Sequence, residues 1–172
     1  VEIDECPSDW AGKVHAAWSG FQRSTHAQNA EVLIFTDADT WFDTACVRSC
    51  VALARQRRLD MLSLFCTLST DTWFMLFDAG AYRAIGGHEA VKEALLEDIA
   101  FARCVAKREM RGGLLLADGM VRCRMYDDWA QFRKGWKRIY TESANREPKR
   151  LRRYAGRSRL LGVGLPLAAG AG

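Results

Sequence analysis

Two acidic pairs and one basic-aromatic cluster are the residues whose types and spacing could do chemistry. Asp37 and Asp39 stand in Thr36-Asp-Ala-Asp-Thr40, directly after the apolar run Val32-Leu-Ile-Phe35. Twelve aspartates in 172 residues make one Asp-x-Asp unremarkable by itself, so the position after a strand carries the weight. Ligands of open α/β sheets collect at the carboxyl ends of strands. Two hard oxygen donors there suit Mg²⁺ or Mn²⁺ bridging to substrate phosphates; the alternative is a strand-end turn with one Asp capping the next helix. Glu97 and Asp98, in Leu95-Leu-Glu-Asp-Ile-Ala-Phe-Ala-Arg103, could supply a general base for a hydroxyl, or simply favourable charge near a helix start with Arg103 as a surface partner. Between Arg124-Met-Tyr126 and Gly135-Trp-Lys-Arg138, cations could neutralise a diphosphate while Trp136 stacks on a base or sugar; otherwise this is a solvated helix face with a core Trp. Lys13, after Gly12 at a helix start, could meet phosphate or be merely solvated. His88, after Gly86-Gly87, has no second imidazole or cysteine near it in sequence and is expected to be structural.

The elements that must position these groups follow from periodicity. Trp10, Val14, Ala17, Trp18 and Phe21 predict a helix over 11–23. Residues 32–35 predict a buried strand in a parallel sheet. A helical stripe of Cys46, Val47, Cys50, Val51 and Ala54 predicts a helix over 44–58, followed by strands at 61–65 and 73–77. A short helix over 79–85 is closed by Gly86 and Gly87, and a long one is predicted over 89–108. Gly112 and Gly113 are expected to turn, strands 114–117 and 120–126 to form a hairpin through Asp118-Gly119, and 129–140 to be helical. The alternation, with no internal repeat, predicts an α/β domain.

Composition sets the outer bounds. With 49% hydrophobic and 27% charged residues, one domain of ordinary size can bury a real core, which excludes a disordered or collagen-like chain. Six cysteines without a Cys-x-x-Cys pair indicate neither a disulfide framework nor a zinc cluster; reduced, cytosolic thiols are expected. The chain opens at Val1 without a signal-like segment and is expected to begin inside a longer protein. Net charge is +4, but residues 133–159 hold eleven Lys/Arg against two Glu, a net +9, while the rest of the chain is −5. Such asymmetry points to an anionic partner for that segment. Residues 160–172 are all apolar, Gly or Pro, thirteen against the roughly twenty that a spanning helix needs. A basic stretch abutting an apolar run is how a cytoplasmic juxtamembrane segment reads, so an anionic membrane surface, the cytoplasmic face of a membrane and a truncated membrane helix are expected, and no nucleic acid.

Taken together, the residues resemble the family 2 glycosyltransferases. The likeness covers roughly residues 7–140 and rests on Gly12-Lys13, Phe35-Thr-Asp-Ala-Asp39, Tyr82-Arg-Ala-Ile-Gly-Gly-His-Glu-Ala-Val91, Glu97-Asp98, Arg124-Met-Tyr126 and Gly135-Trp136, in that order and spacing. The Gly-Gly-His and Arg-Met-Tyr elements are most similar to the membrane-associated branch that is proposed to act on hopanoid, carotenoid or other lipid acceptors. The resemblance implies a partial GT-A fold, a mixed sheet flanked by helices, over 1–140, with a basic juxtamembrane segment at 141–159 and an apolar tail at 160–172. It also implies inverting transfer from a nucleotide-diphosphate sugar to a lipid or membrane-embedded acceptor. Asp37 would lie near the donor and the metal, Asp39 on the Mg²⁺ or Mn²⁺, and Asp98 would be the base. Lys13, Glu97, Arg124, Trp136 and Arg138 would line the substrate.

The sequence departs from the family in three places. Nothing before Glu31 supplies the apolar strand and Pro-x-x-Asn-Glu type loop that hold the nucleotide base, so the donor-binding half is expected to be missing. Only residues 65–72 stand where the branch carries several tens of residues more. Gln131-Phe-Arg-Lys-Gly-Trp136 has Gly135 where the processive relatives carry Arg, which disfavours polymer synthesis. Two rivals follow: a catalytically inactive remnant serving as a membrane-docked interaction module, and a phosphatase of the haloacid-dehalogenase type. The second also places Asp-x-Asp after its first strand but wants Thr or Val where Trp41 stands.

Overall fold

A computed structural model describes residues 2–3, 5–65, 74–117, 119–123 and 128–164, without the side chains at 122, 123 and 163. The chain divides into two compact units, Val1–Met125 and Tyr126–Gly172. The first is α/β. Helices α1 (Gly12–Arg23) and α2 (Thr25–Asn29) precede strands β1 (Val32–Thr36) and β2 (Thr40–Phe42) and helix α3 (Cys46–Arg57). Strands β3 (Met61–Phe65) and β4 (Phe74–Asp78), helix α4 (Ala79–Ile85), a 3₁₀ turn at Gly87–Val91, helix α5 (Glu97–Lys107) and strands β5 (Gly112–Leu116) and β6 (Val121–Cys123) complete it.

The main sheet has the order β1-β4-β3-β5, with β4 antiparallel to both neighbours and β3 parallel to β5. Three strands therefore run one way, and their carboxyl ends share one edge. The sequence predicts a parallel neighbour for β1, but its partner β4 runs against it. An unbroken apolar run reports burial on both faces, not the direction of the neighbour. Phe74, Met75, Leu76 and Phe77 of β4 are all buried because helices cover both faces, each side chain contributing about 1.5–3 kcal/mol. On one face Leu33, Met61, Met75 and Phe77 meet Val14 and Phe21 of α1, Tyr82 and Ile85 of α4, and Phe101 and Val105 of α5. On the other, Leu62, Leu64, Phe74 and Leu76 meet Cys46, Cys50 and Ala54 of α3, with Ala117 and Val121. Burial pushes the Cys50 thiol up to about 11, which keeps it protonated, as a small apolar side chain would be.

Three further expectations are corrected. The helix predicted over 89–108 is broken: after the 3₁₀ turn the chain bends, and α5 starts only at Glu97. The Lys92 carbonyl, which a continuous helix would have used itself, accepts the Ala11 N–H at 2.7 Å. Gly112 and Gly113 do not turn but lie in β5, where a Cβ on Gly113 would stand 2.8 Å from Leu59 Cδ1. They are small because neighbours press on the strand, and the left-handed residue before it is Glu109. Nor do β5 and β6 form a hairpin. β5 joins β3, while β6 pairs with β2, a three-residue strand hidden in sequence behind the acidic loop. Helices α1, α3 and α4 and strands β1, β3 and β4 otherwise fall within about two residues of expectation.

The second unit carries helices α6 (Trp129–Ser143) and α7 (Pro148–Arg159) and a wider π-type turn at Leu160–Gly164. Asp128 caps α6 by accepting the Gln131 N–H at 2.8 Å, and Asn145 and Arg146, both with positive φ, turn the chain into α7. Among the described residues no helix is long and apolar enough to cross a membrane.

One glycine ties the first unit together. Gly87 has φ +59°, and a Cβ there would stand 2.5 Å from the Trp18 ring and 3.0 Å from the Tyr82 ring. Gly87→Ala should lower stability by about 2–4 kcal/mol, from overpacking and left-handed strain together. Gly20→Ala, which meets nothing within 4 Å in the interior of α1, should raise it by about 0.5–1 kcal/mol. Urea unfolding of both variants checks the pair.

Candidate functional site

Three elements deliver charged groups to the carboxyl edge of the main sheet. Lys13 lies in the first turn of α1, Asp37 follows β1, and Glu97 opens α5. The Lys13 ammonium stands 2.7 Å from Asp37 Oδ1 and 3.0 Å from Glu97 Oε1. The contact to Glu97 pairs the charges but lacks hydrogen-bond alignment. Only 4% of the Glu97 side chain is exposed, against 25% for Asp37 and 45% for Lys13. Burial pushes the Glu97 carboxyl above its ordinary range, Lys13 pulls it back in part, and the neighbouring Asp98 adds to the rise.

Beneath this cluster lies a buried aromatic nest. His88 is fully buried, its ring edge-on to Phe35 at 4.5 Å and to Phe101 at 5.0 Å. The backbone N–H of His88 donates to the Tyr82 hydroxyl oxygen at 3.2 Å, and that hydroxyl lies 2.8 Å from His88 Nδ1. The hydroxyl and Nδ1 share one proton, and which of them donates follows the tautomer of the ring. Burial, and secondarily the charge of Lys13, pushes His88 down to about 3. The imidazole is thus neutral at pH 7 and adds no charge to the edge.

An open groove of about 550 Å³ runs from this cluster along β1. Ala17 and Gly20 of α1 form one wall, and the consecutive residues from Leu33 to Asp37 form the other, so the groove follows the strand edge and not one face of it. Among the described residues β1 has a strand partner on one side alone.

The structure brings Lys13, Asp37 and Glu97 together, with Asp98 the next residue along α5. Asp98 is half-buried, and its Oδ1 accepts the Ile99 N–H at 2.7 Å. Asp39 is exposed, in the turn where the Asp37 carbonyl accepts the Thr40 N–H. Trp136, half-buried, and Arg138, exposed, belong to α6 in the second unit. Arg124 lies outside the described residues, as do Met125 and Tyr126. Sequence reasoning missed the pairing of Tyr82 with His88, for which the only signal was a phenol and an imidazole flanking a Gly-Gly turn. It also missed the groove, foreshadowed only by small residues on one side of α1.

Chemically, the edge combines a cation with a surplus of carboxylates. Asp37 and Asp39 could give a divalent ion two hard oxygens, and among the described residues no group of three or more His, Cys, Asp or Glu could hold a metal. A divalent ion on those two carboxylates, which takes about six oxygens, would have to draw the others from water or a bound diphosphate. The chain matches no protein-family model, no curated protein and no solved structure.

The buried imidazole gives a signed pH dependence. With a folded value near 3 against 6.5 unfolded, the unfolded chain binds more protons between these values, so stability falls as pH drops below about 6.5. Glu97, shifted up, acts oppositely: its contribution is full below 4.5 and is lost as pH rises through its folded value. His88→Phe should therefore lose about 2 kcal/mol less than the wild type between pH 6.5 and 4.5. Urea unfolding at the two pH values reads this difference directly.

Proposed function

We propose that the chain is a partial glycosyltransferase domain of GT-A type that transfers a sugar, with inversion, from a nucleotide-diphosphate sugar to a hydroxyl of a lipid or membrane-embedded acceptor. The observation that carries this reading is the convergence, through Lys13, of the acidic loop after β1 with the Glu97-Asp98 pair at the start of α5. Motifs far apart in sequence meet at one sheet edge, where α/β domains bind ligands. Apolar surface near this edge supports an acceptor with an apolar body. Phe65, Leu114 and Leu116 are exposed near the carboxyl ends of β3 and β5, where Phe65 pairs in register with Leu116.

In this reaction Asp98 takes the proton of the acceptor hydroxyl as its oxygen attacks the anomeric carbon. The bond from that carbon to the diphosphate oxygen breaks on the opposite face, which inverts the configuration, and the proton stays on the carboxylate. Lys13 would leave Asp37 to meet the departing diphosphate, and Glu97, at its other side, limits how far the ammonium can swing. A divalent ion held by Asp37 and Asp39 would supply further positive charge for the leaving group. The basic segment at 146–159 and the apolar residues from Leu160 onward would hold the protein on an anionic membrane surface at the cytoplasmic face, where a lipid acceptor is found. A second reading, a non-catalytic membrane-docked module, is favoured by the edge of β1 that no strand pairs with among the described residues, and donor binding separates the two.

Calorimetry with UDP and Mn²⁺ should show the metal and nucleotide binding only together, and Asp39→Asn should weaken this joint binding at least tenfold. Tight Mn²⁺ binding without nucleotide, or an unaltered Asn variant, contradicts the metal assignment; no nucleotide binding at all favours the module. Asp98→Asn should leave donor binding intact while lowering transfer by about 10²–10⁴-fold, the range expected for loss of a general base.

A further inference from the structure

Helix α6 carries a continuous aromatic ladder. Trp129 and Phe132 stack at 5.0 Å, Phe132 and Trp136 lie at 5.7 Å, and Trp136 and Tyr140 at 5.4 Å. The spacing of three, four and four residues keeps the four rings on one side over about 16 Å of helix. Trp129 is 69% exposed and Tyr140 46%, and no residue of α6 is buried. Arg133, Lys134, Lys137 and Arg138 occupy the flank and the far side. Helix α7 adds six cations and no acid, and Leu160 and Leu161 beyond it are exposed. The two Glu of the segment are engaged, Glu142 with Arg146 and Glu147 with Arg150. Between Trp129 and Tyr140, Phe132 and Trp136 are half-buried, and an ordinary solvated helix mixes signs and does not leave large rings exposed at both ends of one aromatic row.

We propose that α6 lies flat in the head-group layer of an anionic bilayer, its Trp129–Phe132–Trp136–Tyr140 ladder turned toward the acyl chains while the cations of α6 and α7 contact lipid phosphates. Amphipathic rings belong at the interface between water and hydrocarbon, and a helix with one aromatic side and one basic side lies in that plane instead of crossing it. A single-stranded nucleic acid would also meet cations and rings. Here the rings pack on one another along the helix, and the same unit exposes Leu160 and Leu161, which a lipid interface accommodates and a row of bases does not. The proposal rests on the membrane reading of the basic segment and not on the chemistry of the first unit.

The test uses the full chain with vesicles of phosphatidylcholine alone or with 30% phosphatidylglycerol. Wild type should bind the anionic vesicles at least tenfold more tightly and lose binding as salt rises. The double variant Trp129→Ser/Phe132→Ser should bind anionic vesicles at least tenfold more weakly with its salt dependence kept. Arg150→Gln/Arg152→Gln/Arg153→Gln should lose both affinity and salt dependence. Lipids brominated in the acyl chains should quench wild-type tryptophan fluorescence, and Trp129→Phe/Trp136→Phe, which keeps the rings and the helix, should lose most of that quenching. If the ladder variant binds like wild type, or quenching persists without Trp129 and Trp136, the placement of α6 is overturned; loss in the arginine variant alone would then leave the basic segment as the membrane contact. Equal binding to neutral and anionic vesicles, or release from vesicles by a single-stranded RNA oligonucleotide at equimolar charge, overturns the membrane reading itself.

Discussion

A carboxylate whose side chain is only 4% exposed cannot remain charged without a cation close by, and among the described residues Lys13 approaches Glu97 to 3.0 Å. Removing an ion from water costs several kcal/mol even after the protein relaxes. The carboxylate therefore constrains where the first turn of α1 and the start of α5 can sit. Because Lys13 also holds Asp37 at 2.7 Å, the same contact fixes the loop after β1. Three segments far apart in sequence are set by one ammonium group. The buried end of this arrangement cannot absorb a second charge, and His88 behind it is kept neutral by burial, its Nδ1 bonded to the Tyr82 hydroxyl. The exposed end can, since Lys13 and Asp37 both reach solvent.

Backbone geometry supports this constraint from below. The Ala11 N–H, next to the first turn of α1, takes the Lys92 carbonyl, and Gly87 lets the Trp18 and Tyr82 rings close over the turn between α4 and the 3₁₀ segment. A longer, regular helix in this region would have been simpler to build. It would have carried Glu97 in a helix interior, among carbonyls already committed, and not at an N-terminus where free N–H groups favour a negative charge. Breaking that helix is what places the acidic pair at the sheet edge.

Periodicity made the regular elements legible: the run at β1, the stripe of α3, and α4 with its glycine end all follow from side chains that report burial by spacing. Strand direction was not legible. The apolar run at 32–35 would look the same beside either kind of neighbour, and β2 has only three residues. Gly112 and Gly113 misled because glycine marks both turns and close packing, and sequence does not separate the two; only Leu59 and Val105 pressing on β5 decide it. For the site, Lys13, Asp37 and Glu97 could each be singled out by type and position, but their contact joins residues separated by most of the first unit. The pairing of Tyr82 with His88 was not legible, because a hydrogen bond to a buried ring leaves no mark on spacing.

Charge is divided in a way that bears on how such an edge could work beside lipid. Outside residues 133–159 the chain is net −5, and at the edge Lys13 meets Asp37 and Glu97, with Asp39 and Asp98 close to them in sequence. Carboxylates in excess attract a divalent ion but repel both a diphosphate and an anionic membrane. Screening weakens the repulsion only beyond a Debye length of about 8 Å, which is too far to help at contact. Under the membrane reading, a segment of +9 would outweigh it, each cation near an anionic surface contributing on the order of 1 kcal/mol. At the edge, under the proposed reading, Lys13 and a divalent ion would have to do the same for the diphosphate. Under the proposed reading the two halves of the charge pattern would answer one requirement, that an acidic site meet anionic partners, with lysine and arginine in number on the helices and with the Lys13 ammonium at the sheet.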